Sequence, residues 1–381
     1  MITSLEPSSI LSKESKSGKR PEDSSKRKRG RKIPPPLVFL FLSIGLIGIG
    51  FLSLKFGSVS LSFEEIARLL FLDKSSLSES ELPHSFLVWD LRLPRFLLSL
   101  AVGACLASAG VCIQGLFRNP LVEPGFIGVG PGAALAASAW IVYSESLFSF
   151  LPKEMTGQGS FFLQIFAFGG ALIVSFLLHL ISRKEGGGFS LVLVLTGIAV
   201  NATVISLLGF LSYAADDNQL RNLTFWSLGS MAGATWHKVT LLALVLGFVS
   251  LFFPVLSRGL DALALGEADA FHTGFKVKKI RNLTILLSSL LVGISISLTG
   301  NIGFVGLIVP HILRMLLGPG HRVLLPSSLL GGGLLVAIAD LTARTIVFPS
   351  ELPIGIIACG LGGTFFLVLI LRSKRKEGQF G

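Results

Sequence analysis

Charge is sparse in this chain: 14% of its 381 residues are Asp, Glu, Lys or Arg, against 51% hydrophobic. No water-soluble core needs so much apolar sequence, and the mix fits a polytopic helical membrane protein far better than a soluble enzyme. Cysteine is scarcer still. Cys105, Cys112 and Cys359 all fall inside apolar runs without metal-ligand spacing, so they read as buried, inert thiols and not as a disulfide or zinc site. No Gly-x-x-x-x-Gly-Lys-[Ser/Thr] phosphate loop occurs, so this polypeptide is not expected to bind or hydrolyse ATP itself. Acids are missing from the apolar runs, with Asp340 the one clear exception, which leaves little for proton or sodium coupling.

What is present is long apolar sequence, with 43 glycines and a mean hydropathy of +0.74. Taking about 20 residues per crossing, some ten segments reach across a bilayer. They are 37–54, 95–116, 124–143, 160–182, 189–212, 238–258, 281–299, 302–317, 324–347 and 353–372. The run 302–317 holds Pro310, His311 and Arg314 and reads as a polar, partly broken span or a shorter segment followed by a loop. Residues 1–36 are rich in Ser, Lys and Arg, end in Pro34-Pro35-Pro36, and read as a disordered basic tail. Their basic part is too long for a cleaved signal peptide, and no small-residue cleavage site follows the first apolar segment. With the N-terminus inside, 24 of the 33 Lys and Arg residues fall on the cytoplasmic side, which places both termini there, including the tail 373–381. The net charge of +11 then follows the anionic inner leaflet and needs no nucleic acid.

Three arginines break this bias. Arg92 and Arg95, three residues apart on one helical face, and Arg344 fall on the outer side. They either snorkel or pair locally, Asp340 being well placed for an i,i+4 pair with Arg344, or form a docking site for an acidic partner. The longest cytoplasmic loop between spans, within 258–280, carries apolar residues at 260, 263, 264, 268 and 271, with Gly266 and Gly274 as places to bend. A short amphipathic helix outside the bilayer results, lying on lipid or set into a groove of another protein. On the fifth span Thr196, Ala199, Thr203 and Ser206 form a small or mildly polar stripe that suits helix packing or a path wall, and Asn201 lies elsewhere on that helix.

Several motifs then agree on a family. Arg92-Leu-Pro-Arg95, Gly103, Gly110, Gln114, Arg118-Asn119-Pro120-Leu121, Pro124, Gly128 and Gly132-Ala133 stand in one half. In the other stand Gly300-Asn-Ile-Gly-Phe304-Val-Gly306-Leu307-Ile-Val-Pro310-His311-Ile-Leu-Arg314, His321-Arg322, Asp340, Arg344 and Glu351-Leu352-Pro353-Ile354-Gly355. Over residues 37–372 the chain resembles the iron-siderophore and vitamin B12 permease family of ABC importers. The resemblance implies an all-α, polytopic membrane protein of about ten transmembrane helices with the type II ABC importer permease fold. It implies a homodimer, or a pair with a closely related permease, two ATPase subunits that carry ATP and Mg, and a substrate-binding protein outside. No cofactor or metal is expected on this chain.

By the same likeness Leu263, Leu265, Gly266, Ala270 and Gly274 belong to the loop that couples to the ATPase, and Arg92, Arg95 and Arg344 meet acidic residues of the binding protein. The Thr196 helix would line the pore. Gln114, Asn119, Pro120, Pro310, His311, Arg314, Asp340, Glu351 and Pro353 would be structural members of the motifs. The implied activity is import of an iron-siderophore complex, heme or cobalamin into the cytoplasm across the inner membrane by alternating access. An ion-coupled secondary transporter is the alternative, and a purely structural membrane protein leaves the outward arginines and the cytoplasmic helix unexplained. One departure stands out: Gly362-Gly363-Thr364-Phe365-Phe366 has Thr where the family has Pro, which puts the bend of the last span in doubt.

Overall fold

Each of the ten apolar runs is helical in the computed structural model, which describes residues 33–57, 59–71, 78, 79, 81–147, 161–182 and 189–377. Residues 1–32, the greater part of the expected basic tail, and 378–381 lie outside the described residues. Helix α1 (Pro35–Lys55) starts on the proline pair, whose fixed φ and missing N–H suit a first turn. After a short amphipathic α2 (Phe63–Phe71), α3 (Leu82–Phe86) passes through a π turn, Leu87–Arg92, into α4 (Leu93–Phe117), one continuous 36-residue apolar helix. The second span is thus longer at its start than the expected 95–116. Pro83 and Pro94 look like breakers, but each sits at the opening of a helical segment, and the π turn absorbs the irregularity.

The chain leaves α4 through Arg118 in the left-handed region (φ 51°) and an Asn119 side chain that accepts the Leu121 N–H at 2.9 Å. A 3-10 turn, Pro124–Ile127, leads to α5 (Val129–Leu147), then α6 (Phe161–Ile181) and α7 (Phe189–Ala214). Helix α8 (Asp217–Leu228) is polar and was not foreseen, although Asp216 and Gln219 form a capping box. Next come α9 (Trp236–Ser250) and α10 (Phe253–Leu265), bent by 54° into one broken span, then α11 (Glu267–His272), α12 (Val277–Thr299), α13 (Val305–Leu317), α14 (His321–Thr345) and α15 (Ile354–Glu377).

Among the described residues seven helical stretches are long and apolar enough to cross a membrane, or eight when the bent pair counts as one span. The remaining two of the expected ten, α5 and α13, fall short for physical reasons. Tyr143, Ser144 and Glu145 dilute the end of α5, and α13 has 13 residues, about 20 Å at 1.5 Å each. Thr364 does not break the last span, which runs unbroken from Ile354 to Glu377.

Helix α4 is the axis. From Val102 to Phe117 every residue is buried, and its neighbours are α14, α12, α13 and α9. Glycine makes this possible: a Cβ on Gly103 would overlap the Gly332 carbonyl of α14, and one on Gly110 the Gly306 carbonyl of α13. Backbones meeting this closely are how helices associate where lipid is as apolar as leucine.

Candidate functional site

At one end of the bundle the arginines turn inward. Arg92, 4% exposed, donates to the carbonyls of Leu54, Lys55 (3.1 Å) and Val59, at and just beyond the end of α1. Those carbonyls have no helical partners left, and a guanidinium has five donors to satisfy them. Arg344, 7% exposed, donates through Nη2 to the Ser53 carbonyl (2.6 Å) and Oγ (2.7 Å), and its Nε stands 3.9 Å from Asp340 Oδ2, the i,i+4 neighbour. Only Arg95 reaches a rim. Its Nε and Nη2 hold Asp340 (2.8 to 3.1 Å), and Nη1 takes both oxygens of the half-exposed Glu351 at 2.9 and 3.0 Å. Of the two readings of these arginines, local pairing or a docking site, the contacts within the chain show local pairing, the Arg344–Asp340 pair included. Arg92 and Arg344 bind the α1 terminus to α4 and α14, and Asp340 and Glu351, remote in sequence, supply the counter-charge.

The opposite end carries the loop expected to be one amphipathic helix. Gly266 (φ 135°) divides it into α10 and α11, and Gly274 (φ 87°) turns the chain toward α12. These two positions need glycine, since both lie where side chains are strained. Division also splits the apolar stripe. Leu260, Leu263 and Ala270 are buried, whereas Leu265 and Phe271 are 72% and 70% exposed, so the free apolar corner is smaller than periodicity indicated. Behind it, Asp261 Oδ1 accepts from the His321 backbone N–H (2.9 Å) and meets its Nδ1 (2.7 Å). Partial burial pushes the Asp261 carboxyl up, but the His321 hydrogen bonds outweigh it and hold the group below the usual carboxylate range. The His321 ring lies where a Cβ on Gly115 of α4 would fall, so the tether joins α10 to α14 and α4.

Between the ends, the motif residues fasten loops to helices. Buried Gln114 donates to the carbonyls of Gly306 (3.3 Å) and Leu307 (3.4 Å), and its Oε1 accepts from Arg314 Nη1 at 2.8 Å, binding α4 to α13. Pro310 is buried within α13, and His311 stands edge-on to Phe365 at 5.9 Å. Asn119 and Pro120 are exposed in the turn after α4, and Pro353 leads into α15, whose first N–H donates to the Gly229 carbonyl (3.1 Å). Sequence reasoning missed Glu123, although it lies between the motif residues Leu121 and Pro124. Its Oε1 accepts the Phe304 N–H at 2.7 Å and so holds the positive-φ turn that opens α13.

A cavity of about 710 Å³ opens beside that turn, within the usual range for ligand sites. Glu123, Asn201, Ser227, Asn301, Phe304 and Cys359 are among its walls. From α7 it takes Asn201, Val204, Ile205 and Leu208, not the stripe of Thr196, Ala199, Thr203 and Ser206. Thr196 and Thr203 return their hydroxyls to the helix, at Val192 O (2.7 Å) and Ala199 O (3.0 Å), and Ala199, Thr203 and Ser206 are exposed. No group of three or more His, Cys, Asp or Glu suited to a metal occurs among the described residues.

Among the described residues the chain is a helical bundle of apolar stretches long enough to cross a membrane, packed around the glycine-lined α4, and this is the architecture of a multi-pass membrane protein. The particular family follows from comparison. The FecCD transport family matches residues 45–372, and the chain belongs to it, a permease subunit of the ABC importer class. The hemin transport system permease protein HmuU of Yersinia pestis is 37% identical over 348 residues, 91% of this chain and 98% of that protein. The vitamin B12 import system permease protein BtuC of Vibrio cholerae is 39% identical over 287 residues, 75% and 83% of the two chains. A solved ABC transporter of the metal-chelate type, in an inward-facing conformation, superposes with a TM-score of 0.74 at 31% identity, over 89% of this chain and all of the other.

Proposed function

We propose that this chain is the translocating subunit of an inner-membrane importer for a metal chelate, an iron-siderophore complex, heme or cobalamin, working by alternating access with both termini in the cytoplasm. The observation that carries the reading is the likeness to a hemin permease across 98% of that protein's length. Two copies of the chain would enclose the path, and the exposed Ala199, Thr203 and Ser206 face of α7 is of the kind a second copy covers. Two ATPase subunits would bind ATP and Mg and hydrolyse the nucleotide. This subunit is not an enzyme, and it needs no cofactor of its own.

Leu265 and Phe271 form the apolar knob that the ATPase grips, an exposed helix-in-groove anchor on a loop fixed by Gly266 and Gly274. Closure of the ATPase pair pushes that knob. The Asp261–His321 tether carries the displacement to α14, and the glycine contact of α14 with α4 makes the two move as one body. At the far end Arg95 and Glu351 offer the accessible charge to which a substrate-binding protein docks. Asp340 is an unpromising ion-coupling acid, because both Arg95 and Arg344 neutralise it.

The test is co-purification of the tagged chain with its candidate ATPase in detergent, followed by ATPase rates with and without the binding protein. Wild type should associate and be stimulated. Leu265→Glu with Phe271→Glu should insert normally yet lose both, whereas a wild-type chain that binds no ATPase would remove the importer reading.

A further inference from the structure

A second cavity, about 440 Å³, lies at the Arg95 end of the bundle, between the start of α6, the end of α8, the start of α9, the end of α12 and the residues preceding α15. Two charged residues line it, Lys238 and Glu351, and their situations differ. Both Glu351 oxygens are held by Arg95 Nη1, so the cavity's own acid is already committed. Lys238 is half-buried, and its Nζ finds one acceptor among the described residues, the Leu298 carbonyl at 3.5 Å. No carboxylate among them comes within salt-bridge distance of it. An ammonium drawn out of water without a counter-ion is costly, and an anion reaching it relieves that cost.

The rest of the wall suits a particular kind of anion. Trp226 and Phe225 add aromatic rings to the wall, while Gln164 and Ser230 add an amide and a hydroxyl. We infer that this cavity is a subsite in which Lys238 receives a carboxylate on the edge of the transported metal chelate, with the ring or chain that bears the carboxylate lying against Trp226. The inference rests on the importer reading and names the part of the substrate that this end of the path holds. A lysine suits the task because its point charge on a long stem follows a moving carboxylate, whereas an arginine fork would fix one geometry.

The experiment uses the full chain in lipid nanodiscs and reads acetylation of Lys238 by peptide mass spectrometry, with exposed Lys276 as the internal reference. Hemin, which carries two carboxylates, and its dimethyl ester, which carries none, share the same ring. Hemin and ferric citrate should each slow acetylation of Lys238 about tenfold, the scale of one charge-assisted hydrogen bond, and the ester should leave it unchanged. Equal protection by the ester would show an apolar slot in which the amine has no part. Absence of protection by both carboxylate probes at millimolar concentration would also overturn the assignment. In reconstituted transport, Lys238→Gln should raise KM with kcat retained, and Lys238→Arg should recover part of the affinity. Both variants should associate with the ATPase as wild type does; failure of the wild-type chain itself to associate would count against the importer reading and not against the subsite.

Discussion

Gly110 shows how much a single hydrogen can decide. Its Cα faces the Gly306 backbone so closely that a methyl group would overlap the carbonyl, and neither helix has a flexible side chain at that point to move aside. Gly110→Ala should therefore destabilise the bundle by about 2–3 kcal/mol, the scale of overpacking a tight core. Gly48 of α1 has nothing within 4 Å of a built Cβ, and Gly48→Ala should be neutral or slightly stabilising. Thermal unfolding of both variants in detergent checks this; similar melting temperatures would mean that α4 and α13 are not packed as described. Arginines teach the opposite lesson about legibility. Arg92 and Arg344 stood out in the sequence as misplaced charge, but their acceptors are carbonyls of residues 53 to 59, and backbone acceptors leave no mark in a sequence.

Among the elements, the long apolar helices were legible because lipid demands continuous hydrophobic sequence, and the motif glycines were legible because only glycine permits the contacts they make. Two elements were hidden. Helix α8 has too little apolar sequence to register as a span, and only its Asp216 and Gln219 capping pair announces it. The start of α4 was hidden by Pro94, which a π turn accommodates. The corner at Gly266 was half legible: a bend was expected, but which of the stripe residues point inward depends on α12 and α14, which periodicity cannot report. The tether behind this corner has a pH signature. Asp261 is held below its ordinary value, so its stabilising contribution is fully present above the unfolded carboxylate pKa, about 3.9, and is lost as pH falls through the lower folded value. Asp261→Asn should cost about 1 kcal/mol at pH 5 to 7, a modest figure because the carboxylate is partly exposed. The gap in melting temperature between wild type and variant should shrink below about pH 4, where the wild-type carboxyl itself becomes protonated. A gap that is constant from pH 3.5 to 7 would mean that the charge on Asp261 contributes nothing.

At the scale of the whole molecule the open quantity is how many times the chain crosses. Among the described residues up to eight crossings stand on length and hydropathy, and α5 and α13 are the two expected spans that do not meet that standard. Both are nonetheless buried among longer helices: α13 presents Val305 to Pro310 to the interior, and α5 packs along α6. A helix shielded by protein has no need of an all-apolar surface, and irregular backbone such as residues 300–304 is tolerated at membrane depth when neighbouring protein satisfies it. Ten crossings then put the turn after α4, the α10–α11 corner and the start of α14 on one side, and the end of α5 on the other. In a cysteine-free background, Ser146→Cys should react with a membrane-impermeant maleimide in intact cells. Arg118→Cys, Phe271→Cys and Arg322→Cys should react only after permeabilisation. All four positions are exposed on the chain, so differences in labelling would report the side of the membrane. Labelling of Arg322→Cys in intact cells would mean that α13 turns back without crossing, and protection of Ser146→Cys would say the same of α5. The Arg322→Cys result would separate His321 from the ATPase side, and the proposed route from the Leu265–Phe271 corner to α4 would lose its first link.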